Sequence, residues 1–272
     1  MAYEIRALSF TEILDRAFRV LLDNFVLFFG ISAVVFVPMG ILQAVAGKTQ
    51  VFGTILGLFV MVTYLFFHAA LLIGMIGIYL DRQTSVVDAY RSAKPVMLRF
   101  MGTYLLMATP VFLAVIPMTI MVLMRVRIKG PFPIFLMILA TGSLFFYFMI
   151  RWVLAGPIMI AERRFGPSAL RRSSELIRGQ WWRTFGIIIA SALIVQVPVA
   201  VLNLLWSSIP FLGPILTSLV QAATAAYAVI VMVLYYFDRR CRIENFDLHY
   251  LVEQVRAEGA IAPVTIGAST IA

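Results

Sequence analysis

Charged side chains are scarce in this sequence, and the acidic ones are missing from its longest segments. Only 13% of the 272 residues are charged, whereas 62% are hydrophobic, which is too apolar for a water-soluble globule of this length to cover its own core. Six runs contain no carboxylate, and each meets the ~20 residues that a helix needs to cross ~30 Å of hydrocarbon. The runs lie at 25–46, 51–80, 100–124, 131–161, 184–206 and 210–237. They predict an all-α integral membrane protein with six transmembrane helices.

Residues that carry enzyme chemistry are equally sparse. The single cysteine, Cys241, excludes an internal disulfide framework. Only two histidines, His68 and His249, are present, and no GxSxG, HExxH, P-loop or CxxC motif occurs. We therefore predict that the protein is not an enzyme and binds no metal or cofactor. The N-terminal segment is predicted not to be a cleavable signal, because acidic residues stand where a signal's basic and apolar regions belong.

The distribution of Lys and Arg predicts how the chain is oriented. Basic residues near the ends of spans are retained in the cytoplasm, and one set of connecting segments holds far more of them than the other. The richer set comprises Arg6, Arg16, Arg19, Arg82, Arg91, Lys94, Arg99, Arg163, Arg164, Arg171, Arg172, Arg178, Arg183, Arg239, Arg240, Arg242 and Arg256, and the poorer set comprises Lys48, Arg125, Arg127 and Lys129. Both termini are thus predicted to lie in the cytoplasm, at the cell (inner) membrane. Because all the acids share the richer side, the formal net charge of +9 indicates topology, and nucleic-acid binding is not expected.

The chain also repeats itself. The even-numbered runs end in an acid followed by arginine, at Asp81, Glu162 and Asp238, and an Ala-x-Arg triplet precedes each odd-numbered run, at Ala17, Ala89 and Ala169. We interpret this as a single membrane domain, 1–258, built from three helical hairpins, each preceded by a cytoplasmic interfacial amphipathic helix. The pseudo-repeats are 9–81, 84–162 and 166–238, and their first helices are predicted at 10–22, 86–95 and 168–180. A last amphipathic helix is predicted at 244–258, followed by a disordered tail at 259–272.

Four segments resemble the glycerophosphoryl diester phosphodiesterase membrane domain family. They are Leu8–Arg19 (LSFTEILDRAFR), Arg151–Glu162 (RWVLAGPIMIAE), Gly166–Arg183 (GPSALRRSSELIRGQWWR) and Tyr236–Leu248 (YFDRRCRIENFDL). These are membrane-interface patterns and not chemical motifs. The resemblance implies a membrane part alone, without the soluble phosphodiesterase domain from which that family takes its name, and members with this architecture are mostly of unknown activity.

The segment between the fourth and fifth runs is the strongest candidate for a lipid interface. Its basic and aromatic residues are Arg163, Arg164, Arg171, Arg172, Arg178, Trp181, Trp182 and Arg183. Each cation near an anionic leaflet contributes ~1 kcal/mol of attraction, and only Glu162 and Glu175 are in reach to neutralise them. We predict that Arg178 and Arg183 lie close to lipid phosphates and that the tryptophans sit in the interfacial belt. The alternative is that these arginines fix topology and pair with the acidic ends of neighbouring repeats.

Polar residues inside the runs are the other candidates, since intramembrane polar groups are often functional. They are His68, Arg151, Gln196, Asn203 and Gln221. Arg151 is either a helix anchor at the cytoplasmic headgroups or part of a polar vestibule or lipid-phosphate site. His68 has either a hydrogen-bonded structural role or a functional one. Gly156-Pro157 is expected to bend the fourth span towards the interface.

These features favour a non-enzymatic scaffold or accessory protein that binds anionic phospholipid and a partner protein, or a second copy of itself. A transporter, channel or lipid-moving protein is the alternative, and it would need a polar path lined by the intramembrane candidates. A membrane enzyme is disfavoured because the runs lack acids. An ion-coupled pump is disfavoured for the same reason, since such coupling usually relies on a buried carboxylate.

Overall fold

The computed structural model describes residues 6–46, 50–80, 84–123, 132–206, 209, 212–248 and 251–252. Its helices are α1 (Phe10–Asp23), α2 (Phe25–Ala46), α3 (Gln50–Tyr79), α4 (Val86–Ala93), α5 (Met97–Leu123), α6 (Phe132–Arg151), α7 (Ala155–Ala161), α8 (Pro167–Ile177), α9 (Trp181–Trp206) and α10 (Leu212–Glu244). A 3₁₀ turn, Lys94–Val96, joins α4 to α5. No strand occurs within these ranges, so the all-α prediction is confirmed.

Five stretches of the described chain are long and apolar enough to cross a membrane. They are Phe25–Leu42 in α2, Met61–Tyr79 in α3, Phe135–Ala161 across α6 and α7, Trp181–Trp206 in α9 and Leu212–Glu244 in α10. Each coincides with a predicted span. Helix α5 occupies the third predicted run but is not among the five. The chain thus has the helices of a membrane protein, and the six-span arrangement stays a prediction.

Long helices that follow one another in the chain pack together. Contacts join α2 to α3, α5 to α6 and α9 to α10, and the most extensive contact joins α2 to α10. Gly40 permits this last approach, because a Cβ atom there would lie only 2.6 Å from the Cβ of Ser218. Ala222 and Ala226 are fully buried on α10, where small side chains let helices approach closely.

Among the residues whose burial the structure describes, most of the core cluster lies at the end of the bundle that carries the short helices. In α2 the core residues lie between Phe28 and Met39, and in α3 they lie between Phe67 and Tyr79, so the two helices contribute the halves nearest α1 and α4. The alanine of each Ala-x-Arg triplet is fully buried, at Ala17, Ala89 and Ala169, whereas the arginine two residues later is exposed. The triplet therefore marks where each short helix presses on the core.

Helices α1 and α4 begin at serine N-caps. Ser9 Oγ accepts from the backbone nitrogen of Glu12 at 3.3 Å, and the Glu12 carboxylate accepts from the Ser9 backbone nitrogen at 2.6 Å. This reciprocal capping box satisfies two donors that a helix start leaves open. The Ser9 backbone and then the Arg6 side chain, at 2.9 Å, lower the pKa of Glu12 from 4.5 to about 2. Ser85 caps α4 without a reciprocal backbone contact: its Oγ accepts from the Asp88 nitrogen at 3.2 Å and donates to the Asp88 carboxylate at 2.5 Å.

The fourth long run is interrupted. Helix α6 ends at Arg151, a turn covers 152–154, and α7 begins at Ala155. Pro157 explains the position of the break, since a proline ring clashes with the carbonyl four residues earlier, here that of Val153. A bend was expected at Gly156-Pro157. The structure instead has a non-helical turn just before this pair, at 152–154, which separates two helices. Glycine at 156 lets α7 pack closely, because a Cβ there would lie 3.2 Å from Leu72 Cδ1.

Several element boundaries differ from the predictions. Helix α8 ends at Ile177 instead of 180, because a turn at 178–180 follows it. Helix α4 passes through the 3₁₀ turn into α5 without a non-helical residue. Helix α10 extends to Glu244, beyond the predicted end at 237. Of the predicted helix 244–258, the structure describes helical residues at 246–248 and 251–252. His249 and the tail 259–272 lie outside the described residues, as do Lys48, Arg125, Arg127 and Lys129.

Candidate functional site

The arginines of the segment 163–183 divide into two groups, because some of them pair with carboxylates of the protein and others line cavities. Arg172 Nε lies 3.2 Å from both carboxylate oxygens of Glu162, and the Tyr236 hydroxyl donates to the same carboxylate at 3.0 Å. Arg172 also binds Glu244, which accepts from Arg240 Nε at 2.9 Å. Two acids and two arginines thus neutralise one another across α8 and α10.

Arg164 and Arg163 stand at the edge of this network. Arg164 Nε approaches Glu162 at 3.3 Å. Arg163 has a left-handed backbone, with φ of 55°, and lines a separate cavity of about 300 Å³ together with Asp88. Pairing with Glu162 matches the alternative in which arginines bind the acidic ends of neighbouring repeats.

Arg183 takes part in a second ion cluster. Asp238 is fully buried, and its carboxylate lies 3.2 Å from an Arg183 nitrogen and 2.8 Å from Arg242 Nε. The same carboxylate accepts from the backbone nitrogen of Leu8 at 2.8 Å. The Leu8 carbonyl in turn accepts from Arg183 at 2.8 Å and from Arg242 at 2.7 Å. The Arg183 guanidinium therefore has partners within the protein, and its predicted position close to lipid phosphates stays a prediction.

Arg171 and Arg178 face a cavity of about 590 Å³ between the ends of α6, α8 and α9. We call it the basic pocket. Its lining residues are Tyr147, Arg151, Arg171, Ser174, Glu175, Ile177, Arg178, Gly179 and Trp181. Three guanidinium groups and one carboxylate surround this space, so the pocket carries a net positive charge.

Local backbone geometry positions the basic side chains of the pocket. Arg151 is the last residue of α6, and its carbonyl accepts from Ser173 Oγ at 3.0 Å, which ties α8 to this helix end. Arg151 also donates to the Tyr147 hydroxyl at 2.6 Å. Arg178, with φ −53° and ψ 127°, and Gly179, with φ 75°, form a type II turn between α8 and α9. Glycine is favoured at such a positive φ.

The pocket's arginines differ in how far they are neutralised. Arg171 Nε lies 3.2 Å from Glu175, which is an exposed pair and therefore a weak one. Arg151 has a tyrosine as its partner, and within the described part of the chain no ion pair joins it or Arg178 to an acid. A guanidinium presents its donors in a fixed fork that matches a phosphate, so the pocket has the chemistry of an anion site.

Two aromatic residues lie beside the pocket. Trp181 stacks on Phe185, with ring centroids 5.6 Å apart, and its buried indole nitrogen has no hydrogen-bond partner among the described residues. Trp182 contacts Trp181 edge-on at 4.8 Å and is 76% exposed. A predominantly exposed tryptophan next to arginines is typical of the membrane–water interface.

His68 is held by aromatic neighbours. Its Nδ1 lies 3.1 Å from the Tyr104 hydroxyl, and its ring centroid lies 6.0 Å from that of Phe100. A Cβ at Gly156 would lie 3.4 Å from His68 Cε1. This environment fits the hydrogen-bonded structural role.

The remaining intramembrane candidates do not join into one path. Asn203 Oδ1 accepts from Thr217 at 2.6 Å and from the Trp206 indole at 3.2 Å, which fastens α9 to α10. Gln196 and Gln221 are exposed. Arg151 belongs to the basic pocket, so the five residues serve different parts of the fold.

The other reactive side chains form no cluster in the described chain. No group of three His, Cys, Asp or Glu residues in these ranges could hold a metal ion. Cys241 is buried on α10.

Sequence reasoning placed Glu175 within reach of the arginines but missed Tyr147 as a member of the pocket. A signal for Tyr147 was present, because it lies four residues before Arg151, and such pairs are neighbours on a helix. It also missed the backbone contact between Leu8 and Asp238, for which local spacing carries no signal.

Comparison with known proteins places the chain in a family. A family model described as "Domain of unknown function (DUF8558)" matches residues 46–264, a stretch that includes the basic pocket. No curated protein and no solved structure matches the chain. By the extent of this match, the chain belongs to the DUF8558 family.

Proposed function

We propose that the protein is a non-enzymatic, multi-pass protein of the cell (inner) membrane that binds anionic phospholipid on its cytoplasmic side and serves as a scaffold or accessory protein for a partner. Six transmembrane helices, arranged as three hairpins with both termini in the cytoplasm, form its membrane domain. We also propose that the chain is related to the glycerophosphoryl diester phosphodiesterase membrane domain family, which it resembles in sequence.

The basic pocket is the observation that carries the lipid role. Arg151, Arg171 and Arg178 surround a cavity that contains one carboxylate, and Trp182 is exposed beside it. Guanidinium groups bind phosphate oxygens through paired hydrogen bonds, and an interfacial position would place these groups at the depth of lipid phosphates. An anionic headgroup would neutralise the net positive charge.

The proposed topology is supported by both packing and charge. Each predicted hairpin corresponds to a contacting pair of long helices, and the short helices α1, α4 and α8 precede those pairs. The basic residues are concentrated on the side assigned to the cytoplasm.

Cysteine labelling tests the topology. In a Cys241→Ser background, the single substitutions Lys48→Cys and Arg127→Cys should each react with an impermeant maleimide added outside intact cells. Arg19→Cys should react only after the membrane is permeabilised. External labelling of Arg19→Cys would overturn the proposed orientation.

Copurified lipid tests the binding role. Native mass spectrometry of the protein in mild detergent should show anionic phospholipid retained by the wild type, and less of it by Arg171→Gln/Arg178→Gln. The matched control is Arg19→Gln/Arg91→Gln, which removes the same charge from exposed arginines of α1 and α4. Equal lipid retention by the two double variants would contradict a role for the basic pocket.

Transport stays the alternative function. The observation that favours it is the interruption between α6 and α7, because broken helices build binding sites in many transporters. His68 lies close to α7 and would be the first residue to test. The assay is transport of a solute or lipid across the membrane of proteoliposomes. Transport that is lost in His68→Ala but retained in Arg171→Gln/Arg178→Gln, the variant of the basic pocket, would support a transporter over a scaffold.

A further inference from the structure

An apolar groove runs along α6 and ends at the basic pocket. Its lining residues are Phe135, Ile138, Leu139, Gly142, Ser143, Phe146, Tyr147 and Trp181, and its volume is about 560 Å³. The spacing of three and four residues places the α6 members on successive turns of one side of the helix. The hydroxyl of Ser143 is bonded to the Leu139 carbonyl at 2.7 Å, so the groove offers an apolar surface along its length.

The groove and the basic pocket are continuous, because Tyr147 and Trp181 line both. Arg151 follows Tyr147 by one turn and donates to its hydroxyl. From Phe135 to Arg151 the helix rises about 24 Å at 1.5 Å per residue. One side of α6 therefore changes from aliphatic and aromatic side chains to guanidinium groups along this length. The length is roughly the depth of one leaflet, which consists of half the ~30 Å hydrocarbon core and one headgroup layer.

We infer that one anionic glycerophospholipid occupies this combined site, with an acyl chain in the groove and its phosphate in the basic pocket. This inference rests on the proposed function and deepens it from a general attraction to a defined site. The continuity with the basic pocket identifies the occupant of the groove, because a bound molecule must be apolar at one end and anionic at the other. A peptide side chain or a free phosphate satisfies only one of the two surfaces.

The charges of the pocket favour an anionic headgroup over a zwitterionic one. Glu175, its one carboxylate, lies 3.2 Å from Arg171 and is therefore already engaged. An ammonium group on the lipid would share the pocket with Arg151 and Arg178 without a free acid to pair with it, and like charges repel. The site should therefore prefer a phosphatidylglycerol-type lipid to phosphatidylethanolamine.

The experiment separates the groove from the pocket. Full-length protein in mild detergent is exposed to an equimolar mixture of phosphatidylglycerol and phosphatidylethanolamine, and bound lipid is counted by native mass spectrometry. Gly142→Trp fills the groove, since nothing lies within 4 Å of a Cβ placed there. Its control, Leu144→Trp, places the same side chain at an exposed position outside the groove lining. Arg151→Gln/Arg178→Gln removes charge from the pocket, with the control Arg19→Gln/Arg91→Gln.

The wild type should bind one phosphatidylglycerol that resists dissociation. The pocket variant removes two guanidinium groups and should weaken binding about 30-fold, which corresponds to ~2 kcal/mol at ~1 kcal/mol for each cation near an anionic lipid. Gly142→Trp should reduce retention to a similar extent, and both controls should retain lipid as the wild type does. Thermal melting in detergent identifies any variant that has lost its fold, and Gly142→Leu serves as a smaller filling of the groove.

The possible failures are distinct. If the pocket variant loses phosphatidylglycerol but both groove variants retain it, the single-lipid site is wrong while the proposed function stands. If neither the pocket nor the groove variants differ from their controls, both proposals are wrong. Equal retention of phosphatidylethanolamine by the wild type would overturn the assigned headgroup.

Discussion

The buried carboxylate of Asp238 accepts a hydrogen bond of 2.8 Å from the backbone nitrogen of Leu8, 230 residues away in the chain. The Leu8 carbonyl accepts from the same two arginines, Arg183 and Arg242, that approach Asp238. One peptide segment thus completes an ion cluster formed by the end of α10 and the start of α9. This contact fastens the segment before α1 to the core.

Asp238→Asn should destabilise the protein strongly. The change removes the charge of a fully buried carboxylate whose partners are partly exposed, since the Arg183 and Arg242 side chains are 21% and 39% exposed. The loss should therefore fall between the ~1 kcal/mol of an exposed pair and the ~3 kcal/mol of a fully buried one. Thermal unfolding in detergent should show a clear loss. Asp15→Asn is the control, because its pair with Arg19 is exposed and contributes less than about 1 kcal/mol. Similar melting of the two variants would contradict a stabilising cluster.

Gly40→Ala should loosen the contact between α2 and α10. The new Cβ would lie 2.6 Å from Ser218 Cβ and 3.1 Å from the Pro214 carbonyl, and overpacking of this kind costs about 1–3 kcal/mol. Gly142→Ala adds the same methyl group to α6 where space is open, so it should be neutral or slightly stabilising. Melting temperatures of the two variants provide the comparison, and a neutral Gly40→Ala would show that the helices can shift apart.

Glu175→Gln should increase the retention of anionic phospholipid. Glu175 is the one carboxylate in the lining of the basic pocket, and its removal frees Arg171 from an exposed pair. The gain should be of the order of fivefold, corresponding to ~1 kcal/mol per uncompensated cation. Lipid counting by native mass spectrometry checks it. A decrease would indicate that Glu175 positions Arg171 for the ligand.

Acid should weaken the start of α1. Hydrogen bonds from the Ser9 backbone and from Arg6 hold the pKa of Glu12 at about 2, below its ordinary 4.5. A group whose pKa is lowered on folding stabilises the fold above its unfolded pKa, and that stabilisation is lost as the pH falls through the folded value. The wild type should therefore exceed Glu12→Gln in stability by a constant margin above about pH 4.5, and the margin should vanish near pH 2. Melting temperatures of both proteins across this pH range show whether the stability difference falls in acid as predicted. A difference that grows as the pH falls would contradict the prediction.

The sequence predicted the helices better than their connections. Apolar runs without carboxylates indicated every long helix, because length and hydrophobicity are local properties. The start of α1, predicted at residue 10, is also its observed start. The path from α4 into α5 was not predictable in this way, because three residues in a 3₁₀ turn differ little from α-helix in local preference.

The candidate site was predicted only in its composition. An excess of arginine and tryptophan between α7 and α9 is visible in the sequence, and so is Arg151 as a charged residue inside the fourth run. The division of the arginines was not predictable, since Arg172 meets Glu244, which is 72 residues away, and Arg183 meets the Leu8 carbonyl across 175 residues. A count of charges along the sequence does not show which side chains lie close together in the folded protein.

The sequence by itself determined that this chain forms apolar helices whose alternate connecting segments are rich in basic residues, because hydrophobic length and charge are properties of each segment alone. Only the tertiary structure decided which arginines are neutralised inside the protein and which remain to face a cavity. The physical reason is that burial makes an unpaired charge costly, so Asp238 and Glu162 engage the guanidinium groups that the packing of α8, α9 and α10 brings within reach. Arg151 and Arg178 lie beyond those carboxylates, beside the groove of α6.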